Sequence, residues 1–268
     1  MNRPYLYMTV NGAGMKEWIT GRNPVYEVLR ARRRDVFRLW VAAGVEEKGR
    51  LAEILRLAAG RKLKVERVPR GQIDNLGEAG SQAQGVALET SAYPYAALAD
   101  ILERAGETKE PLFVLLLDMI QNPQNLGTLL RTAEAVGVHG VVIPLRRAAG
   151  VTPAVVHASV GASEHLLVAQ VNLAQAIDEL KEAGAWVIGL EGGDDALPSG
   201  SVRLDGPLAL VVGNEGEGMR LLVRKNCDVL MRLPMRGQIE SLNAAVAGSI
   251  ALYLALQARS GSASSGQG

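Results

Sequence analysis

Three stretches of this 268-residue chain crowd amides, carboxylates and hydroxyls against glycines. The first runs from Asp118 through Asn122, Pro123, Asn125 and Gly127 to Arg131. The second is Gly213-Asn214-Glu215-Gly216-Glu217-Gly218, and the third runs from Leu233 to Ser241-Leu242-Asn243. Asn125, Arg131, Glu215, Ser241 and Asn243 are the side chains here that could orient a substrate or stabilise developing charge. Each also has a plainer reading. Asn125 is a natural N-cap for a helix starting at Leu126, Gly127 lets another chain or ligand approach its first turn, and Arg131 serves equally as a surface ion-pair partner. Ser241-Leu242-Asn243 could simply cap the helix that follows.

Several other chemistries are excluded. The second stretch has no Gly-Lys-Ser/Thr after it and does not open a βαβ unit as GxGxxG, so ATP and dinucleotide sites lose support. The early Asn11-Gly-Ala-Gly14 has neither a preceding strand nor a third glycine. His139, His157 and His165 are scattered, and Cys227 is the one cysteine, so there is no metal-ligand spacing and no internal disulfide. No apolar run approaches the ~20 residues of a membrane span and no secretory signal opens the chain, so a cytoplasmic protein is expected.

The elements that must hold these stretches form two series. From residue 17 to 92 the pattern predicts helix 24–32, strand 38–42, helix 46–59, strand 64–68, a short helix near Gln72 and strand 85–89, a compact α/β unit. Residues 1–16 read as a flexible leader, 93–110 as a linker and 260–268 as a disordered tail. Between them, 111–259 predicts strand 112–118, helix 126–136, strand 140–144, helices 152–160 and 173–183, strands 186–190 and 208–212, a helical segment 219–225, strand 229–233 and helix 242–258. Alternating strands and helices imply a mostly parallel sheet covered on both faces, with ligands at the carboxyl ends of its strands. All three polar stretches follow strands, so they should meet at one sheet edge. In the last helix Ala244, Ala247, Gly248 and Ala251 recur at helical spacing, a face with little side-chain volume against which other backbone must pack.

Charge divides the chain as well. Residues 1–92 hold 16 Lys/Arg against 10 Asp/Glu, and residues 93–268 hold 13 against 18, so a net charge of +1 conceals halves of +6 and −5. The runs Arg30–Arg38 and Arg56–Arg70 are the footprint of a phosphate-backbone partner, or equally a solvated helix face.

The ordered segments NPQNLGTLLRTAEAVGVHGVVIP (122–144), LALVVGNEGEGM (208–219) and LPMRGQIESLNAAVAGSIALY (233–253) resemble the three motifs of the SpoU/TrmH class of RNA ribose 2′-O-methyltransferases. ITGRNPVYEVLRA (19–31) resembles the start of the small RNA-binding domain of bacterial large-subunit rRNA guanosine-2′-O-methyltransferases. The resemblance implies an α/β fold in which a C-terminal trefoil-knot (SPOUT) domain follows a small N-terminal α/β RNA-binding domain. It further implies a homodimer through the C-terminal domain, S-adenosylmethionine as cofactor, and transfer of a methyl group to a ribose 2′-OH of RNA, most naturally a guanosine of large-subunit rRNA. A tRNA ribose methyltransferase, or a non-catalytic RNA-binding factor on the same scaffold, is the alternative. Carried over by position, Gly213, Leu233 and Leu242, with Leu190 in addition, match the cofactor-holding residues, and Asn125, Arg131, Glu215, Ser241 and Asn243 match the catalytic set. Arg131 is given the central role, as stabiliser of the forming alkoxide or as general base. Two departures stand out: Asn214 where a smaller residue is usual, and Ala245 in place of a hydroxyl-bearing residue.

Overall fold

The structure, a computed structural model, describes residues 16–76, 83–108 and 110–265, and divides them into two compact units between Pro94 and Tyr95. Most of the expected leader lies outside the described residues.

The first unit opens with β1 (Lys16–Thr20), followed by α1 (Arg22–Ala31), β2 (Val36–Ala42), α2 (Arg50–Gly60), β3 (Lys64–Val68), α3 (Arg70–Asp74) and β4 (Val86–Ser91). The sheet order is β1-β4-β2-β3, antiparallel except for β2–β3. β1 has no counterpart among the expected elements, because a five-residue edge strand next to a glycine-containing leader carries little alternation. The buried stripe of α1, Val25, Val28 and Leu29, follows the i, i+3, i+4 rule. Part of the basic run is structural. Arg34 is buried and donates to Glu17 at 2.9 Å, Arg33 donates to the Tyr93 hydroxyl and the Pro94 carbonyl, and Arg38 pairs with Glu89 at 2.8 Å.

The second unit contains α4 (Leu98–Thr108), β5 (Phe113–Leu117), α5 (Pro123–Ala135), β6 (Gly140–Pro144), α6 (Pro153–Ala158), β7 (Val168–Val171), α7 (Leu173–Glu182), β8 (Trp186–Leu190), the two-residue β9 (Leu197–Pro198), β10 (Leu208–Val212), α8 (Leu221–Asn226), β11 (Val229–Arg232) and α9 (Ala244–Ser265). Its seven strands are all parallel, in the order β7-β6-β5-β10-β8-β11-β9. β5 and β10 are buried along their whole length, as central parallel strands require. Two expectations need correcting. The stretch read as part of a linker is α4, whose Leu98, Ile101 and Ala105 enter the main core beside Val114, Val142 and Ala169. The expected tail is helical as far as Ser265, because α9 continues past residue 258.

The small-residue face of α9 has a definite neighbour. Ala251, Leu252 and Ala255 are fully buried, and a Cβ on Gly248 would stand 2.6 Å from Leu129 of α5 and 3.2 Å from Val212 of β10. The opposite stripe, Val246, Ile250 and Tyr253, is exposed at 41–50%.

Among the described residues no helix is long and apolar enough to cross a membrane, and no His, Cys, Asp and Glu side chains group as metal ligands. His139 is a satisfied core residue. Its Nδ1 accepts from the Phe113 N–H at 3.0 Å, its Nε2 lies 3.0 Å from the Thr108 hydroxyl, and burial pushes its pKa down.

Candidate active site

Because β5, β10 and β11 run parallel within one sheet, the segments after them leave at the same edge. Three side chains tie these segments together. Asn125, in the first turn of α5, donates its amide to Glu215 of the glycine loop after β10. Asn243, after β11, donates to Glu215 at 2.9 Å and to the Asn125 side-chain oxygen at 3.2 Å. Asn125, Glu215 and Asn243 therefore form a closed hydrogen-bonded triangle with one vertex from each polar stretch.

The caps differ from those expected. Asn122 is the N-cap of α5, its side-chain oxygen accepting from the Gln124 N–H at 2.8 Å, with Pro123 at the first helical position. This leaves the Asn125 side chain available for the triangle. Asn243 is itself the cap of α9: its Oδ1 accepts from the N–H groups of Ala245 and Val246 at 2.9 and 3.2 Å. Ser241 lines a neighbouring cavity and does not cap the helix.

The glycine loop is held from two sides. Asn214 accepts from the Gly216 N–H at 2.9 Å and donates to the Met119 carbonyl at 3.1 Å, closing the turn and fastening it to the end of β5. The fully buried Asp118 accepts from the Arg220 backbone N–H at 2.8 Å and its guanidinium at 2.7 Å, fixing the exit of the same loop. The departure at Asn214 is thus the loop's organising residue, which its Asx-turn chemistry could have signalled. Asp118 carries no such signal, because nothing in a sequence marks which strand-end carboxylate will be buried.

Beside the triangle lies a cavity of about 340 Å³. Leu190, Gly213, Leu233 and Leu242 all line it, with Val212, Ala244 and Ala247. Gly213 is required sterically: a Cβ there would come within 2.5 Å of the Gly218 backbone. The lining also carries the carboxylates of Glu191, Glu215, Glu217 and Glu240 against the single guanidinium of Arg232. It is thus a cleft of mixed aliphatic and acidic lining with excess negative charge, suited to a compact cationic ligand with a flat apolar part.

Arg131 stands apart. It projects from the third turn of α5, is exposed, and has no hydrogen-bond or ion-pair partner among the described residues. The ion-pair reading of Arg131 is therefore set aside, but Arg131 belongs neither to the triangle nor to the cavity lining within one chain. Gly127, two residues beyond Asn125, admits the end of α6, since a Cβ there would stand 2.4 Å from the Ala158 Cβ and 2.9 Å from the Ala158 backbone.

The chain matches two families: the SpoU rRNA Methylase family over residues 112–253, and RNA 2′-O ribose methyltransferase substrate binding over residues 18–96. YacO of Bacillus subtilis, assigned to the TrmH family of tRNA/rRNA methyltransferases, is 43% identical over 240 residues, covering 88% of this chain and 94% of its own. In fold, the chain is similar to the SpoU methyltransferase AviRb from Streptomyces viridochromogenes, solved in complex with AdoMet (TM-score 0.75, 23% identity, 92% and 91% of the two chains). It is also similar to an AdoMet-bound rRNA methyltransferase from Sinorhizobium meliloti (TM-score 0.73, 22% identity, 90% and 87%). With one family match over more than half of its length and a relative this similar across nearly all of it, the chain belongs to the SpoU/TrmH family of RNA methyltransferases.

Proposed function

We propose that the protein methylates the ribose 2′-OH of a guanosine in large-subunit rRNA, with S-adenosylmethionine as methyl donor. The observation that carries this reading is the Asn125–Glu215–Asn243 triangle, which sets three side chains from the three motifs at the rim of a cavity lined by aliphatic and acidic residues. The cavity fits the cofactor chemically, because S-adenosylmethionine is a compact cation with an adenine to bury. Leu190, Gly213, Leu233 and Leu242 would hold it through backbone and aliphatic contacts. The bound cofactor supplies an electrophilic methyl group on a sulfonium.

The chain's own residues position the acceptor. Glu215 receives two amide donors on one oxygen, which fixes both asparagines and leaves its second oxygen open. Asn125 retains a second N–H. Those two groups are placed to orient a ribose hydroxyl at the cavity rim. Arg131 stabilises the developing alkoxide as the hydroxyl proton passes to the open carboxylate oxygen of Glu215, since a guanidinium is a poor base and a good anion partner.

Arg131 reaches a reaction centre through dimerisation. It neighbours Thr132, whose hydroxyl lies 2.9 Å from that of Ser249 on α9, and α9 presents the exposed apolar stripe Val246, Ile250 and Tyr253. A second copy packed on that stripe brings its own site close to this arginine. The N-terminal unit, with its basic excess, binds the RNA, which favours rRNA over tRNA among the substrates that the relatives' names leave open.

The test is mass spectrometry of cellular RNA incubated with the protein and methyl-labelled S-adenosylmethionine. The expected product is labelled 2′-O-methylguanosine in large-subunit rRNA. Label on a base, or none in any rRNA, would overturn the assignment.

A further inference from the structure

The carboxyl edge of the second sheet has two electrically unlike halves. Over β10, β8 and β11 lies the cavity with its four carboxylates. On the other side of β5 lies β6, and the loop after it reads Leu145-Arg146-Arg147-Ala148-Ala149. Both arginines are exposed, and neither has a hydrogen-bond or ion-pair partner among the described residues. Four other basic side chains of this unit are matched, Lys181 with Asp228, Arg203 with Asp205, Arg220 with Asp118 and Arg224 with Glu191, whereas Arg131 and Lys225 have no such partner among the described residues.

The arginine pair is also held next to the triangle. β5 and β6 pair in parallel through Leu116↔Val142, and the same register carried two residues on sets Pro144 beside Asp118. The Ala149 N–H donates to the Ile120 carbonyl at 2.9 Å, fastening the loop to the segment that leads into Asn122 and Asn125. Arg147 has φ 60°, a left-handed conformation that a non-glycine residue adopts against a steric penalty.

We propose that Arg146 and Arg147 bind successive phosphates of the RNA strand on one side of the target nucleotide, so that the strand crosses the β6 half of the edge. A phosphodiester chain is repelled by Glu215, Glu217 and Glu240, Glu191 being paired with Arg224, whereas two adjacent unpaired guanidinium groups attract it and can grip it bidentately. Phosphate contacts set register without reading sequence, so the pair fixes where the strand lies and leaves base choice to other groups. This inference rests on the RNA methyl-transfer reading above.

The experiment measures binding of the full chain to a fluorescein-labelled single-stranded RNA of mixed sequence by anisotropy across a salt series. Arg146→Ala combined with Arg147→Gly removes both charges and relieves the left-handed backbone. The slope of log affinity against log salt should become shallower by about 1.4, or about 0.7 for each single-strand phosphate that the protein no longer neutralises. S-adenosylmethionine affinity, measured by calorimetry, should stay as in the wild type and so report an intact fold; should it not, Arg146→Gln with Arg147→Gln is measured in the same way. Lys225→Ala is the comparison, because Lys225 is an exposed cation at the end of α8, just before β11 enters from the opposite sheet edge. An unchanged slope in the arginine variants, or an equal change in Lys225→Ala, overturns the proposal. A wild type that binds RNA with this slope but transfers no methyl group would instead overturn the function proposed above.

Discussion

Leu190, Gly213, Leu233 and Leu242 meet the cavity with aliphatic carbon and backbone, whereas Asn125, Glu215 and Asn243 meet one another at its rim through side-chain amides and a carboxylate. The first region depends on shape. Its selectivity comes from where the backbone runs, and a side chain can change there if the volume is kept. The second region depends on the identity of individual atoms, because the triangle is closed by two amides donating to one carboxylate oxygen. The two regions should therefore fail differently under mutation, one in cofactor affinity and the other in turnover.

The largest effect is expected from violating the shape of the cavity. Gly213→Val places carbon where 2.5 Å separates an added Cβ from the Gly218 backbone, so the glycine loop must move. Cofactor affinity by calorimetry should fall about a hundredfold or more, near 3 kcal/mol. Leu242→Met, which keeps volume, should change it less than about threefold. If both variants bind as the wild type does, the cavity is not the cofactor site.

Breaking the triangle should give the converse pattern. Glu215→Ala removes the shared acceptor and one of the four lining carboxylates, and is expected to lower kcat about a hundredfold with a much smaller fall, within about tenfold, in cofactor affinity. Arg131→Ala should match or exceed that loss in kcat, again with cofactor bound. Arg131 also separates the cis and trans readings. If it serves the partner's site, mixing Arg131→Ala with Asn243→Ala chains should recover part of the activity, because one site in each mixed dimer then has both groups. No recovery would place Arg131 in the site of its own chain. The dimer itself is tested by Ile250→Glu, which puts a charge on the exposed α9 stripe and should shift the mass by light scattering from two chains to one.

How far the sequence disclosed these two regions follows from the same difference. Helix and strand periodicity places most core elements within a few residues, since Val-, Leu- and Ile-rich strands such as Phe113–Leu117 and Leu208–Val212 are buried on both faces. The positions of Asn125, Glu215 and Asn243 in the segments that follow strand ends are legible because polar residues among glycines at that edge are rarely needed for folding alone. The edge elements β7 and β9, four and two residues long, are too short to show a period, and β1 buries only its last two residues and so shows no alternation. The cap of α5 differs from the expected one for a local reason: Asn122 and Asn125 both suit an N-cap, and Pro123, which prefers the first helical position, is what selects Asn122. The cavity lining can be identified only by resemblance, since leucine and glycine carry no chemical signature. Conversely, the fastening of the glycine loop by Asp118 and Asn214 depends on contacts more than 90 residues apart in the chain.

A smaller effect than loss of the triangle's acceptor tests whether Asn243 is cap or reaction-centre residue, because it holds both positions with different atoms. Its Oδ1 caps α9 while its Nδ2 binds Glu215 and Asn125. Asn243→Asp keeps the cap, and a carboxylate at a helix N-terminus is at least as favourable to the helix as the amide. It also removes both donated hydrogen bonds and sets a second carboxylate against Glu215. Asn243→Ala loses the cap and the donors together and should cost about 1 kcal/mol of stability. The expected outcome is that Asn243→Asp unfolds thermally close to the wild type, within the repulsion it adds, yet loses as much methyl transfer as Asn243→Ala. Were activity to follow stability instead, with Asp active and Ala not, the amide donors would be dispensable and Asn243 would act only by holding α9 in place beside the cavity.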